Sequence, residues 1–217
     1  MKLSENTLAI LKNFSTINSG IVLKKGKAQR TMSPDKTILA EVTFEDEIAN
    51  DFGIYDLPQF LGNISTLTNA DVEFASDKVV MSDESVKLSY YSCSPTLITS
   101  PPDKSLEMKS VDVQFDLTVA QSQKLLRLAA MNSLPNLTVV GKNGKLLLKT
   151  HDKENDTSNF ASMEIGNHMG TDFEKSFKTD NLKMIADDYK VSITFAGFAL
   201  FESKNKNLKY FIALESK

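Results

Sequence analysis

The sequence predicts an α+β fold built from two successive halves that share one order of elements. Capped helices with one apolar face alternate with short apolar strands. A connector that carries three prolines interrupts this pattern at residues 94–109. The second half then repeats the order of the first, which indicates an internal duplication. We therefore expect two domains, at residues 1–108 and 109–217.

The first element is a short helix that runs into a strand. Ser4 is a suitable N-cap because its hydroxyl can accept a backbone N–H bond that the first turn leaves open. An apolar face at helical spacing consists of Thr7, Leu8, Leu11 and Phe14. Lys12 falls outside this face, and Gly20 ends the helical pattern before the strand Ile21–Leu23.

A second helix follows further strands at residues 38–44 and 51–55. Asp56 can cap this helix, Pro58 suits its first turn, and Gln59 completes a capping-box spacing. The predicted apolar face contains Leu57, Phe60, Leu61 and Ile64. Strands at residues 72–75, 79–81 and 86–91 complete the first half.

The second half opens with the capping-box residues Thr118 and Gln121, which predict a helix that ends near residue 132. Asn143-Gly144 between apolar runs predicts a hairpin over residues 139–148. We expect a fourth helix at residues 178–188, with Asn181 as its opening residue. The closing strands are predicted at residues 191–195, 199–202 and 208–214.

Composition and motifs argue against several functional classes. The apolar fraction of 41% and charged fraction of 24% are those of a globular protein, without an apolar run long enough for a bilayer. Cys93 is the only cysteine, so an internal disulfide is excluded. His151 and His168 lie in a polar, loop-like stretch and lack companions at metal-ligand or catalytic spacing. We therefore expect no enzyme activity, no catalytic residue, no cofactor and no metal.

The placement of charge on the helices is more informative than the formal net charge of −3. No acidic residue occurs between Thr118 and Ser133, while Lys124 and Arg127 share one helical face. Lys12 and Lys183 lie on the polar sides of the first and fourth predicted helices. These faces are either ordinary solvated surfaces or surfaces that contact nucleic-acid phosphates without reading bases.

Several segments together resemble a known family. They are the first 26 residues, MKLSENTLAILKNFSTINSGIVLKKG, then Ile54-Tyr55-Asp56-Leu57 with Phe60-Leu61-Gly62, the proline-bearing connector, and residues 210–215. These sequence segments are similar to those of the DNA polymerase sliding clamps of large myovirus-type bacteriophages.

The resemblance implies two clamp-type domains per chain, each with two helices packed on antiparallel sheets. It further implies that three chains close into a homotrimeric six-domain ring whose helices face double-stranded DNA. The partners would be the DNA polymerase, a clamp-loader ATPase and the chain itself, in the cytoplasm of an infected bacterium and not on a membrane. The DNA-facing residues would be Lys12, Lys124, Arg127 and Lys183.

A partner peptide is expected near the connector, which offers apolar residues with little core around them. These residues are Leu97, Ile98, Leu106 and Met108. The alternative is that they pack back on the sheet. For the chain as a whole, the competing hypotheses are a non-enzymatic structural or assembly protein of a phage and a DNA-binding processivity subunit that does not form a ring.

Overall fold

The computed structural model describes residues 1–215, and it divides the chain into two compact units. Unit 1 is Met1–Ser105 and unit 2 is Leu106–Lys217, so the division falls within the predicted connector. Residues 1–215 contain three α-helices and fifteen strands, and every strand pairing within a unit is antiparallel. The α+β prediction is therefore confirmed.

Unit 1 alternates helices with short sheets. Its elements in chain order are α1 Glu5–Ile17, β1 Ile21–Leu23, β2 Gly26–Met32, β3 Ile38–Ile48, β4 Phe52–Ile54, α2 Leu57–Thr66, β5 Asp71–Phe74, β6 Lys78–Ser82 and β7 Lys87–Tyr91, followed by a 3₁₀ turn at Pro95–Leu97. Strand β1 pairs with β4, β2 pairs with β3, and β5, β6 and β7 form a three-stranded sheet.

The two helices of unit 1 begin at the caps that the sequence predicts. The Ser4 hydroxyl accepts a hydrogen bond from the Thr7 N–H, and the Asp56 carboxylate accepts one from the Gln59 N–H. Helices α1 and α2 contact each other, and α1 also packs on β2 and β3. Large side chains fill the core between them, including the fully buried Phe14, Phe44, Phe52 and Phe60.

Unit 2 has one α-helix and two four-stranded sheets. Its elements are β8 Val113–Leu117, α3 Val119–Met131, β9 Asn136–Lys142, β10 Lys145–His151, β11 Ala161–Asn167, β12 Phe173–Lys178, a 3₁₀ turn at Thr179–Asn181, β13 Tyr189–Thr194, β14 Phe198–Ser203 and β15 Leu208–Ala213. One sheet has the order β11-β10-β9-β12, and the strands of the other follow the order β15-β14-β13-β8.

Local signals in unit 2 are confirmed at α3 and at the hairpin. The Thr118 hydroxyl and the Gln121 side chain form both hydrogen bonds of a capping box. Asn143 and Gly144 have φ angles of 51° and 79° between β9 and β10. Two positive φ angles in a two-residue loop are typical of the type I′ hairpin turn that Asn-Gly favours.

The predicted fourth helix is wrong. Residues Thr179–Asn181 form a single 3₁₀ turn, and the chain then runs irregularly to β13. The Ile185 N–H donates to the Tyr210 hydroxyl at 3.2 Å, and the Ile185 carbonyl accepts from the Tyr189 hydroxyl at 2.5 Å. In the predicted helix the Ile185 N–H would donate to the Asn181 carbonyl, whereas here it donates to Tyr210. A tertiary contact therefore replaces a helical hydrogen bond, and Asn181 opens no helix.

The polar stretch after His151 is also more regular than predicted. Residues Ala161–Asn167 form β11, which pairs with β10 and has an irregularity in register between Leu146 and Leu147. The sequence of β11 alternates as a strand does, with Ala161, Met163 and Ile165 half-buried and Ser162 and Glu164 exposed. This alternation is short and lies within a polar stretch, and the prediction of a loop overlooked it.

Asp187 anchors the irregular segment to the β14–β15 turn. Its carboxylate accepts hydrogen bonds from the Ser203 hydroxyl, from Asn205 Nδ2 at 2.5 Å and from the Asp188 N–H at 2.8 Å. Burial alone would raise the pKa of Asp187, but these hydrogen bonds outweigh it and lower the pKa below its ordinary value.

We expect Asp187→Asn to lower the free energy of unfolding by about 1–3 kcal/mol at neutral pH. The folded pKa lies below the unfolded value of about 3.9, so the stabilisation is fully present above that value. It is lost as the pH falls through the folded pKa. Urea unfolding of both proteins should therefore show a difference that shrinks in acid. Asp156→Asn, at an exposed position between β10 and β11, is the matched control. A pH-independent difference would contradict this account.

Candidate nucleic-acid interface

Helix α3 is fixed at its first turn by two sets of hydrogen bonds. The capping box of Thr118 and Gln121 satisfies two backbone N–H groups, since the Gln121 N–H donates to Thr118 Oγ1 at 3.3 Å and Gln121 Oε1 accepts from the Thr118 N–H at 2.9 Å. Asp188 Oδ1 accepts from the Val119 N–H at 2.7 Å. The start of the helix is therefore tied to the segment before β13.

The faces of α3 differ sharply in chemistry. Leu125 and Ala129 are buried, and the helix packs on β10 and β11. The opposite side is a shallow groove of about 260 Å³, which we call the α3 face. It is lined by Ala120, Gln123, Lys124, Arg127, Leu128 and Met131.

Lys124 and Arg127 supply all the formal charge of the α3 face. Both are exposed and lie three residues apart, so they are neighbours on the helix surface. Neither forms an ion pair with any residue in the part of the chain that the structure describes. No acidic residue occurs between Val119 and Met131, so these two cations are available to an anionic partner.

The exposed face of α1 has mixed charge. Glu5, Ala9, Lys12 and Thr16 are exposed at successive helical turns. Asn6 Nδ2 donates to Glu45 Oε1 at 3.0 Å on the exposed side, which places a second carboxylate beside the first turn. Lys12 is therefore exposed as predicted, but it shares its helix surface with acidic groups.

Asp46 adds a further carboxylate at the start of α1. Asp46 lies in β3, the strand on which α1 packs, and its Oδ2 accepts a hydrogen bond from the Ser4 N–H at 2.8 Å. Burial alone would raise the pKa of Asp46, but hydrogen bonds from Thr7 and Ser4 outweigh it and lower the pKa. Asp46 is consequently ionised at neutral pH and holds the helix terminus in place.

Helix α2 presents a neutral surface. Its ten residues, Leu57–Thr66, contain no charged side chain, and the exposed positions are Pro58, Gln59, Gly62, Ser65 and Thr66. The nearest charge is that of its N-cap, Asp56, which is exposed and negative. Unit 1 thus offers a phosphate little attraction through either helix.

Lys183 is exposed, but it follows the 3₁₀ turn and does not lie on a helix. The preceding residue, Leu182, lines a groove of about 430 Å³ with Leu126, Ala129 and Ala130 of α3. The structure therefore places Lys183 next to a segment that packs along the C-terminal part of α3. Lys12 lies in the other unit.

The four predicted partner-binding residues differ in exposure. Leu97 is 64% exposed and Leu106 is 42% exposed, while Met108 is half-buried. Ile98 is buried, and its Cγ1 lies 3.2 Å from where a Cβ on Gly20 would stand. Ile98 therefore packs into unit 1, whereas Leu97 and Leu106 are accessible.

Polar contacts that the sequence did not reveal hold the connector on unit 1. Asn18 Nδ2 donates to the Met32 and Thr99 carbonyls at 2.9 and 3.0 Å. Arg30 Nη1 donates to the Pro102 carbonyl at 2.7 Å, while its Nη2 lies 2.7 Å from Glu41 Oε1. One indication of these contacts was available in the sequence: Asn18 directly follows an apolar helix, and Asn is a common residue at the C-terminal end of a helix.

The two histidines and the cysteine make the contacts of residues that support the fold. His151 Nε2 is 2.8 Å from Thr138 Oγ1, and burial followed by the nearby Lys149 lowers its pKa. His168 Nε2 is 2.8 Å from the Thr171 carbonyl. Burial raises the pKa of the Cys93 thiol. Within residues 1–215, no three metal-ligating side chains come together, and no helix has the length and apolarity to cross a membrane.

Comparison with solved structures identifies the fold. Proliferating cellular nuclear antigen from Entamoeba histolytica has a TM-score of 0.70 with this chain at 16% identity, covering 96% of this chain and 94% of that one. The antigen of A. fulgidus, solved with the C-terminal region of FEN-1, has a TM-score of 0.70 at 14% identity, covering 100% and 97%. The class of fold is that of the DNA sliding clamps, with two clamp-type domains in this chain.

Sequence relatives narrow the class further. Residues 2–97 match the family model described as DNA polymerase processivity factor, and residues 114–216 match the gp45 sliding clamp, C terminal. The sliding clamp of Vibrio phage KVP40 is 31% identical over 222 residues, covering 100% of both chains. That of Escherichia phage RB69 is 30% identical, covering 100% of this chain and 97% of its own length. The chain belongs to the family of bacteriophage sliding clamps.

Proposed function

We propose that this chain is the sliding clamp that encircles duplex DNA and tethers a phage DNA polymerase for processive synthesis. The observation that carries this proposal is the acid-free α3 face, with Lys124 and Arg127 exposed on a clamp-type domain. The clamp acts in the cytoplasm of the infected bacterium and catalyses no reaction itself. Its loading onto DNA requires a clamp-loader ATPase.

The charge of the chain suits a ring better than a conventional DNA-binding surface. A formal net charge of −3 gives the protein no general attraction for phosphates. A ring can keep acidic groups outside and direct the helices, with Lys12, Lys124 and Arg127, toward the duplex, together with Lys183 of the segment beside α3. Each exposed contact contributes about 1 kcal/mol or less, and salt screens it. Retention on DNA therefore comes from topology, and weak contacts allow sliding.

We expect the double variant Lys124→Glu with Arg127→Glu to reduce loading and processive synthesis while the ring still assembles. The reason is that two negative charges per chain would stand beside the duplex. The measurements are primer extension with the polymerase and loader at physiological salt, and retention on nicked circular DNA before and after linearisation. Lys142→Glu with Lys178→Glu is the matched control, because both lysines are exposed on strands and neither has an ion pair or an acidic cross-strand partner among the described residues.

The circular substrate also separates the competing hypotheses. A clamp is retained on nicked circles and lost on linearisation. A processivity subunit that does not close, or a structural protein of the phage, would show no such dependence on topology. Normal processive synthesis by the double variant would remove the charge argument for the ring.

A homotrimer is the assembly that two domains per chain and a six-domain ring require. Within the described residues, β7 pairs only with β6, and β11 pairs only with β10, so each has a free hydrogen-bonding edge. Exposed apolar side chains flank both edges: Val86 and Tyr91 at β7, and Phe160 and Met169 at β11. Different edges on the two units suit a head-to-tail contact that closes into a ring and protects the edges.

We expect Tyr91→Glu to shift the assembly from trimer toward monomer because it places a charge at the β7 edge. Sedimentation equilibrium at micromolar concentration measures this shift. Tyr55→Glu is the matched control, since Tyr55 is 63% exposed and Tyr91 65%, but Tyr55 lies outside both edges. A wild-type protein that remains monomeric at these concentrations would disprove the trimer.

A polymerase peptide is proposed to dock near the connector through an apolar anchor, with Leu97, Leu106 and Met108 as its contacts. We expect Leu106→Ala with Met108→Ala to reduce polymerase stimulation while leaving the thermal unfolding and the retention on circular DNA unchanged. Val111→Ala, a truncation at a 50% exposed residue beyond the connector, is the control. Full stimulation by the double variant would place the peptide elsewhere.

A further inference from the structure

The three helices differ in the net charge that they present to solvent. The α3 face carries two cations and no anion. The exposed side of α1 carries Lys12 together with Glu5, and Glu45 is hydrogen-bonded to it through Asn6. Helix α2 carries no charged side chain at all. Unit 1 and unit 2 are therefore electrostatically unequal on their helical surfaces.

We infer that the phosphate contacts of the ring are made by α3 of unit 2, and that the helices of unit 1 face the duplex without attracting it. This inference rests on the proposed function, because it assumes that all helices face the DNA. It assigns one contact helix to each chain. A trimer would then hold the duplex through three attractive helices separated by neutral ones.

The position of Glu5 explains why Lys12 adds little attraction. Seven residues of α-helix separate them by about 10 Å along the axis, which is close to the screening length at moderate salt. A phosphate near Lys12 is therefore within reach of the repulsion from Glu5, and Glu45 lies at the same end of the helix. Lys124 and Arg127, by contrast, reinforce each other one turn apart.

Two carboxylates lie at the ends of α3 and weaken its attraction without reversing it. Asp188 lies at the first turn, where its carboxylate accepts from the half-buried Val119 N–H and so complements the helix terminus. Asp180 lines the groove near Ala130 and Ser133, at the other end of the helix. These two are set against Lys124, Arg127 and the exposed Lys183. Lys12 of α1 is instead set against Glu5, Glu45 and Asp46.

The test uses neutral substitutions, which remove a contact without adding repulsion. The assembled ring is titrated onto a fluorescent duplex at several salt concentrations, and the slope of log K against log salt counts the phosphates contacted, at about 0.9 for each. We expect Lys124→Gln and Arg127→Gln each to lower this slope by up to about three, since all three chains lose the cation, and to weaken binding about threefold or more. Lys12→Gln should leave both quantities unchanged within about a factor of 1.5.

A double-mutant cycle sharpens the assignment. In a Glu5→Gln background, Lys12 loses its opposing charge, so Lys12→Gln should now weaken binding. An equal loss from Lys12→Gln and Lys124→Gln in the wild-type background would overturn the inference, as would a wild-type affinity too weak to measure at low salt. Sedimentation confirms assembly of each variant. Retention on nicked circular DNA tests the proposed function separately, since a ring that is retained but shows equal losses disproves the inference alone.

Discussion

The burial of one face of α3 determines which charges this chain presents to a partner. Leu125 and Ala129 are both 2% exposed, so the helix has one allowed rotation on the sheet behind it. Turning it by one residue would bring Lys124 to the position of Leu125. Burying an unpaired ammonium costs several kcal/mol, and withdrawing a leucine from a core costs about 2–5 kcal/mol. The exposure of Lys124 and Arg127 is therefore a consequence of core packing.

Local chemistry made much of the fold predictable. Ser4, Asp56 and Thr118 each cap a helix, because a short polar side chain before an apolar period satisfies N–H groups that no other local partner can reach. Asn143-Gly144 likewise accepts the positive φ angles of a tight hairpin. The same helical period correctly separated Leu125 from Lys124 and Arg127, so the central part of the candidate site was predictable too.

Contacts between distant parts of the chain explain what the sequence could not predict. The segment around Ile185 has helical spacing, but the Ile185 N–H donates to the hydroxyl of Tyr210, which lies 25 residues away. The Tyr210 ring packs on that of Tyr189 at 6.1 Å between centroids, and the Tyr189 hydroxyl binds the Ile185 carbonyl. Strand β2 was missed because two of its three buried positions, Gln29 and Thr31, are polar. The Gln29 side chain is 1% exposed and bonds the Lys24 backbone at both its N–H and carbonyl. The acidic surroundings of α1 were equally hidden, because Glu45 lies 39 residues from Asn6.

The connector follows the same logic. Its prolines indicated an extended segment, and the structure instead begins it with a 3₁₀ turn at Pro95–Leu97. Composition also could not show that Asn18 and Arg30 would hold its carbonyls. Ile98 is buried next to Gly20, where a side chain on Gly20 would leave it too little room. The connector is held at the carbonyls of Thr99 and Pro102, so its backbone is already ordered. Leu97, just before these anchors, is exposed to solvent. Since an ordered backbone loses less conformational entropy on binding, the peptide that we propose to dock there would need fewer contacts than on a flexible segment.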